Sequence, residues 1–220
     1  MRKSAGEEKA YMRNYASLIF SFIRRQYYPH LLLVFLMTLF SGGFVSLKGL
    51  ESTQAAKVME VYVALIGPIL FTPLFMPEQD KAIWNLERSK KISMWKVYLT
   101  RMFPASLICL CVILLFLYRM KTDGGIFDAG ILFRGSCCEI FFLGSIGFFV
   151  SAVTNQVIIG YMIAVIYYVV NIGGKNYLGK FALLRMMKGD YGTWQYWLFG
   201  AAALFAAGIM VREKMARYKT

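Results

Sequence analysis

Six long apolar stretches dominate this chain, and they restrict its fold more than any short motif does. A hydrophobic fraction of 58% over 220 residues exceeds what a soluble domain of this length needs for its core. A bilayer accepts helices of roughly 17–25 apolar residues, because a helix satisfies its own backbone hydrogen bonds. We therefore predict an all-α polytopic membrane protein with six transmembrane helices. The stretches are Leu31–Leu47, Val58–Met76, Tyr98–Tyr118, Ile131–Val153, Val157–Ile172 and Tyr196–Val211.

The distribution of Lys and Arg predicts the orientation of these helices. Sixteen of the 25 basic residues lie before the first stretch, in and just after the second-to-third connection, or in the C-terminal tail, whereas eight lie in the opposite connections. Cytoplasmic segments retain an excess of Lys and Arg. Both termini are therefore predicted to be cytoplasmic, in a bacterial inner or plasma membrane. Topology and anionic lipid account for the net charge of +13, so nucleic-acid binding is not expected.

Residues 1–29 are predicted to form a cytoplasmic amphipathic helix that lies on the membrane, ahead of a single six-span domain over residues 30–220. The segment has no uninterrupted apolar core, so a cleavable signal peptide is not expected. Its apolar residues recur on one helical face, and Pro29 ends the pattern. The helix serves either as a simple anchor or as an element that receives force from a cytoplasmic partner. The apolar residues are Tyr11, Tyr15, Leu18, Ile19, Phe22 and Ile23.

The connection over residues 77–97 is the most conspicuous polar segment of the chain. Acidic residues directly after Pro77 are typical of a first helical turn, where they complement the helix dipole. Apolar residues follow on a helix that has left the bilayer, so they need a protein surface to bury them. We predict docking into a partner, and the alternative is packing against the chain's own headgroup-level surface. The predicted docking residues are Glu78, Asp80, Ile83, Trp84, Leu86, Glu87, Arg88 and Ser89.

The connection over residues 173–194 is too apolar for a solvated loop and too short for two further spans. We predict an external re-entrant or interfacial helical element there. In the second stretch, Pro68 and Pro73 predict a bent helix that stops near Pro77. Such a bend requires neighbours that satisfy the freed carbonyls.

Glu60, Arg134 and Glu139 are the ionisable residues predicted to lie in or near the hydrocarbon. Charged groups in a bilayer need a partner or water, and they frequently mark a transport path. Glu60 and Arg134 lie at comparable depth and would pair if their helices are neighbours. Glu139 is the best candidate for a group that lines a translocation path. The alternative for Glu139 is a buried, protonated or hydrogen-bonded carboxyl that positions helices.

Metal binding and catalysis are not expected. The four cysteines lie in apolar stretches, far along the chain from the only histidine, His30, and they are interpreted as small buried apolar side chains. The chain has no phosphate-binding loop, no dinucleotide motif and no zinc-protease motif. Any energy for its work would come from another chain.

This arrangement resembles the membrane subunits of type-2 ATP-binding-cassette exporters. The resemblance covers nearly the whole chain by architecture and residues 78–96 by local sequence. Glu78, Leu86, Ser89, Ser93 and Lys96 stand where the family tends to have a Glu, a central Leu, a Ser/Thr turn and a closing Lys. The chain differs at Ala82, where Gly is expected, and at Lys90, where Pro is frequent.

The resemblance implies a permease subunit that forms a dimer with a like or related chain. Its loop over residues 77–97 would be a coupling helix for a separate ATPase, which binds ATP and Mg, and this chain would carry no cofactor. The expected cargo is amphiphilic, such as a peptide, lipid or drug, and is moved outward. The alternative is an ATP-independent membrane channel, scaffold or assembly factor. An intramembrane enzyme is a third reading, with too few converging side chains to support it.

Overall fold

The computed structural model describes residues 27–44, 47–79, 94–173 and 179–218. Within these ranges every regular element is a helix and no strand is present. The α-helices, numbered in chain order, are α1 Tyr28–Phe44, α2 Ser52–Val58, α3 Ile66–Phe71, α4 Met94–Thr122, α5 Ala129–Thr154, α6 Val157–Gly173 and α7 Trp194–Tyr218. The predicted all-α class is thus confirmed.

Four helices are long and apolar enough to cross a membrane: Ser52–Gln79, Trp95–Thr122, Ala129–Thr154 and Trp194–Met215. These four helices indicate a membrane protein. Two further apolar helices, Tyr28–Phe40 and Val157–Gly173, are shorter. Each of the six apolar stretches in the sequence thus corresponds to one apolar helix, of which four have full spanning length.

The first long helix, Ser52–Gln79, is broken into four parts, and we call it the broken helix. α2 leads into a π-helical turn at Met59–Val63, α3 follows, and a 3-10 helix covers Thr72–Gln79. Pro73 and Pro77 both lie in this last part and lack the N–H that a helical ladder requires. The sequence predicts a helix bent at Pro68 and Pro73 that stops near Pro77. The change to 3-10 geometry begins at Thr72, next to Pro73, whereas Pro68 lies inside α3 and the 3-10 turns continue two residues beyond Pro77.

Side-chain hydroxyls from other parts of the bundle donate hydrogen bonds in place of the N–H that Pro73 lacks. Pro73 lacks the N–H that would bond the carbonyl of Ile69 in an α-helix or of Leu70 in a 3-10 helix. These two carbonyls accept hydrogen bonds from the hydroxyls of Tyr161 (3.3 Å) and Tyr27 (2.6 Å). The broken helix is therefore held by hydrogen bonds from other parts of the bundle, as its prolines require in a bilayer.

Helix α5 lies at the centre of the described bundle. It packs against α7, α6, α3 and the 3-10 part of the broken helix. Asp128 begins α5 by accepting hydrogen bonds from the main-chain N–H groups of Gly130 and Ile131. Asn155, with φ of 58°, ends it in a left-handed conformation and lets α6 start at Val157. This tight turn brings the ends of α5 and α6 together.

Candidate functional site

The base of the predicted docking loop is tied into the helix bundle by charged and polar side chains. Glu78, near the end of the broken helix, is buried and forms a salt bridge with Arg101 of α4. The same Arg101 Nη1 donates a hydrogen bond to the carbonyl of Leu74, at 3.2 Å. Because Pro77 lacks the N–H that would bond Leu74 in a 3-10 turn, Arg101 replaces that donor.

The next residue, Gln79, connects the loop base to the turn between α5 and α6. Its side-chain nitrogen donates to the carbonyl of Asn155, at 3.1 Å. Arg212 of α7 donates to the Asn155 side-chain oxygen at 2.6 Å and to the Ser151 carbonyl at 3.2 Å. The guanidinium carbon of Arg212 also lies 4.8 Å from the ring centroid of Phe75, within cation–π range.

These contacts form one group, the loop-base cluster, which consists of Glu78, Gln79, Arg101, Asn155 and Arg212. It joins the end of the broken helix to α4, to the α5–α6 turn and, through Asn155, to α7. The end of the broken helix is therefore attached to its neighbours by directional hydrogen bonds and a buried ion pair.

The structure places Glu78 in this internal cluster instead of on a free surface, with a side chain that has no solvent exposure. Its partner Arg101 is one of the basic residues in and just after the second-to-third connection that predict the orientation of the helices. A signal was nevertheless present, because an arginine at the edge of an apolar run needs a partner in or near the bilayer. The other predicted docking residues, Asp80, Ile83, Trp84, Leu86, Glu87, Arg88 and Ser89, lie outside the described residues.

A second polar cluster surrounds the segment between α6 and α7, residues 179–193, which we call the α6–α7 segment. Leu183, Leu184 and Met186 are buried against the helices, and short 3-10 turns cover Gly179–Phe181 and Met186–Lys188. Gly135 of α5 makes room for this segment, because a Cβ there would lie 2.2 Å from the sulfur of Met186.

Buried side chains from three helices bind the main-chain N–H groups of the α6–α7 segment. Asn171 Oδ1 of α6 accepts from Leu183 N at 2.7 Å, and Glu139 Oε1 of α5 accepts from Leu184 N at 3.3 Å. Glu60, in the π-helical turn, accepts from Met186 N at 2.7 Å and from Met187 N at 2.8 Å. Glu60 is 0% exposed and Glu139 is 1% exposed, so both carboxyl groups lie inside the protein.

Glu60 and Arg134 do not pair within the described residues. Both Glu60 oxygens have main-chain partners, while Arg134 is exposed on α5 and its Nε donates to the Gly130 carbonyl at 3.4 Å. Glu139 instead lies beside Glu60, close enough for electrostatic interaction. Of the three intramembrane ionisable residues predicted from the sequence, the fold therefore brings the two acids together and leaves the arginine outside.

Neither the metal-ligand patterns nor the comparisons assign a chemistry to these clusters. No group of three or more His, Cys, Asp or Glu side chains suited to a metal ion occurs among the residues that the structure describes. No family model, curated protein or solved structure matches the sequence. The functional assignment therefore rests on the residues and their geometry.

Proposed function

We propose that this chain is the permease subunit of a type-2 ATP-binding-cassette exporter. The observation that carries the proposal is the loop-base cluster, which connects the predicted coupling loop to α4, α7 and the α5–α6 turn. A merely solvated loop has no need of a buried ion pair at its base. A loop that receives mechanical displacement needs such rigid attachment, because flexible side chains on a solvated surface would absorb the movement.

In this proposal the two shorter helices, α1 and α6, complete six spans, with flanking Tyr, Lys and Arg side chains reaching to the interface. The α6–α7 segment is the external re-entrant element, and both termini are cytoplasmic. Two permease subunits and two ATPase subunits form the working unit, with ATP and Mg bound to the ATPase. Closure of the ATPase pair moves residues 77–97, and an amphiphilic peptide, lipid or drug leaves the cell.

The topology is tested by cysteine labelling in intact cells. In a background without the four native cysteines, we expect Trp84→Cys to react only with a membrane-permeant thiol reagent. Ile126→Cys, in the exposed connection between α4 and α5, will react with an impermeant one. The positive-inside asymmetry puts these two positions on opposite sides. Reaction of Trp84→Cys with the impermeant reagent would contradict the proposed orientation and remove the docking role.

The docking role itself is tested by co-purification in nanodiscs with candidate ATP-binding-cassette ATPases. Single substitutions Ile83→Glu, Trp84→Glu and Leu86→Glu each place a charge on the predicted apolar docking face. We expect each to weaken the complex by about tenfold or more, as for buried interface anchors. The matched control is Ile126→Glu, which adds the same charge to an exposed isoleucine in another connection.

Association that is unchanged in all three docking variants would overturn the coupling role of residues 77–97. Cargo movement by the purified chain in liposomes without any ATPase would instead favour the ATP-independent channel.

A further inference from the structure

The buried acids Glu60 and Glu139 form the strongest site that the proposed transport mechanism leaves unused. Each binds the α6–α7 segment through main-chain N–H groups that lie close together in the chain. Leu184 and Met186 are two residues apart, so their nitrogens are separated by at most about 7 Å. The two accepting oxygens, 3.3 and 2.7 Å from these nitrogens, are therefore at most about 13 Å apart. Glu139 lies within electrostatic reach of Glu60.

The hydrogen bonds distinguish the two carboxyl groups. Both oxygens of Glu60 accept from N–H donors, at 2.7 and 2.8 Å, which is the pattern of an ionised carboxylate. Glu139 has one longer bond, at 3.3 Å, and its second oxygen, Oε2, is buried without a hydrogen-bond partner among the described residues. A carboxylate buried with so little compensation is strongly disfavoured, whereas the neutral acid is tolerated.

The surrounding groups do not supply a second positive charge. Lys188 of the α6–α7 segment is the one cation found within electrostatic reach of Glu60 in the described part of the chain. Tyr167 and Tyr168 of α6 also face the acids, and Tyr191 faces Glu60 from the end of the segment. Burial, followed by the charge of Glu60, raises the pKa of Tyr191, so this phenol is neutral. One positive charge thus faces two carboxyl groups.

We propose that Glu60 and Glu139 are a buried proton-binding site, with Glu60 ionised and Glu139 protonated, and that this proton holds the α6–α7 segment against the helices. On release, the O–H bond of Glu139 breaks, its electron pair stays on the carboxyl oxygen, and the proton passes to water. Two negative charges then face each other in an apolar interior, and separation of the segment from the helices relieves their repulsion by admitting water.

Tyr191 also lines a cavity. It has a volume of about 90 Å³ and is partly open, which leaves room for a few water molecules. Its lining residues are Ser52, Phe127, Asp128, Ile131, Leu132 and Tyr191. Tyr191 is the lining residue that also interacts electrostatically with Glu60. This proton site does not depend on the exporter proposal.

Infrared difference spectroscopy on the full chain in nanodiscs tests the protonation state directly. We expect a protonated-carboxyl C=O band at neutral pH that disappears in Glu139→Gln and persists in Glu60→Gln. Wild-type protein without this band would overturn the proposal, and so would a band that survives Glu139→Gln. Because the wild-type spectrum alone gives a decisive outcome, the test stands even if one variant fails to fold.

Hydrogen–deuterium exchange tests the link to the α6–α7 segment. The proton-bound state is favoured at low pH and is lost as pH rises. Between about pH 5 and about pH 9 we expect the protection factors around Leu184–Met187 to fall about tenfold or more, after correction for intrinsic exchange. In Glu139→Gln, in which this side chain stays neutral, the fall with pH will be smaller than in wild type. The same pH dependence in wild type and Glu139→Gln would overturn the proposal that the proton on Glu139 holds the α6–α7 segment against the helices.

Discussion

Replacing Gly67 with alanine will separate the broken helix from α5 and lower the free energy of unfolding by about 3 kcal/mol or more, at the upper end of overpacking effects. A Cβ at this position would lie 2.2 Å from the main-chain oxygen of Ile140 and 3.1 Å from both its carbonyl carbon and its Cγ2. The nearest atom belongs to the backbone of α5, so no side-chain rotation relieves the clash. The two helices themselves must move apart.

A second glycine at the same interface gives a graded comparison. A Cβ on Gly147 would lie 2.2 Å from Thr72 Oγ1, a side-chain atom that can rotate away. Gly147→Ala is therefore expected to cost less than Gly67→Ala. Gly173→Ala is the matched control, because a Cβ there meets nothing within 4 Å, and its effect should stay within about 0.5 kcal/mol.

The measurement is thermal unfolding in detergent together with equilibrium unfolding in SDS. If Gly67→Ala unfolds like Gly173→Ala, close backbone contact between the broken helix and α5 is not a source of stability. The same measurement tests the small-residue packing surfaces in general, because such residues permit close approach of helices in membranes.

The helices themselves could be predicted from the sequence because apolar runs in a bilayer have only one open-chain solution. The helix ends could not. α7 continues to Tyr218, seven residues beyond the apolar run that ends at Val211, and α4 covers Met94–Thr122 around the predicted Tyr98–Tyr118. Hydropathy marks the width of the hydrocarbon, whereas a helix continues into water for as long as its own hydrogen bonds hold.

The partners of the buried acids were beyond sequence reasoning for a different reason. Glu60 and Glu139 stand out as acids in apolar runs, but their partners are main-chain N–H groups of Leu184, Met186 and Met187. Nearly every residue has a main-chain N–H group, so the residue types at these positions do not indicate that their N–H groups bind Glu60 and Glu139. A path-lining role for Glu139 therefore remains a prediction, and the geometry adds a positioning role for it.

Replacing Arg101 with methionine will lower the free energy of unfolding by about 3–5 kcal/mol, the usual effect of removing one member of a buried ion pair. The side chains of Arg101 and Glu78 are 7% and 0% exposed, so solvent gives little compensation for the lost partner. Methionine keeps most of the apolar volume and removes both the charge and the hydrogen bond to Leu74. The measured loss therefore reports the penalty of leaving the Glu78 carboxylate buried and unpaired more than a packing defect.

Two further variants make this prediction specific to the loop-base cluster. The double substitution Glu78→Gln with Arg101→Met should recover part of the lost stability, because it removes the unpaired Glu78 carboxylate but also takes a negative charge away from the buried Arg212. Arg134→Met is the matched control, since that arginine is exposed and makes one long hydrogen bond, at 3.4 Å. Its effect should stay within about 0.5 kcal/mol. Equal effects of Arg101→Met and Arg134→Met would contradict a structural role for the buried pair.

The same double variant separates stability from coupling. If the loop-base cluster transmits displacement, Glu78→Gln with Arg101→Met will still bind the ATPase, because residues 80–93 are unchanged. It will, however, hydrolyse ATP with less cargo moved for each ATP, since the salt bridge that ties the loop base to α4 has gone. The measurement is ATP hydrolysis and cargo transport in the same proteoliposomes. An unchanged ratio of transport to hydrolysis would limit Glu78 and Arg101 to holding the bundle together.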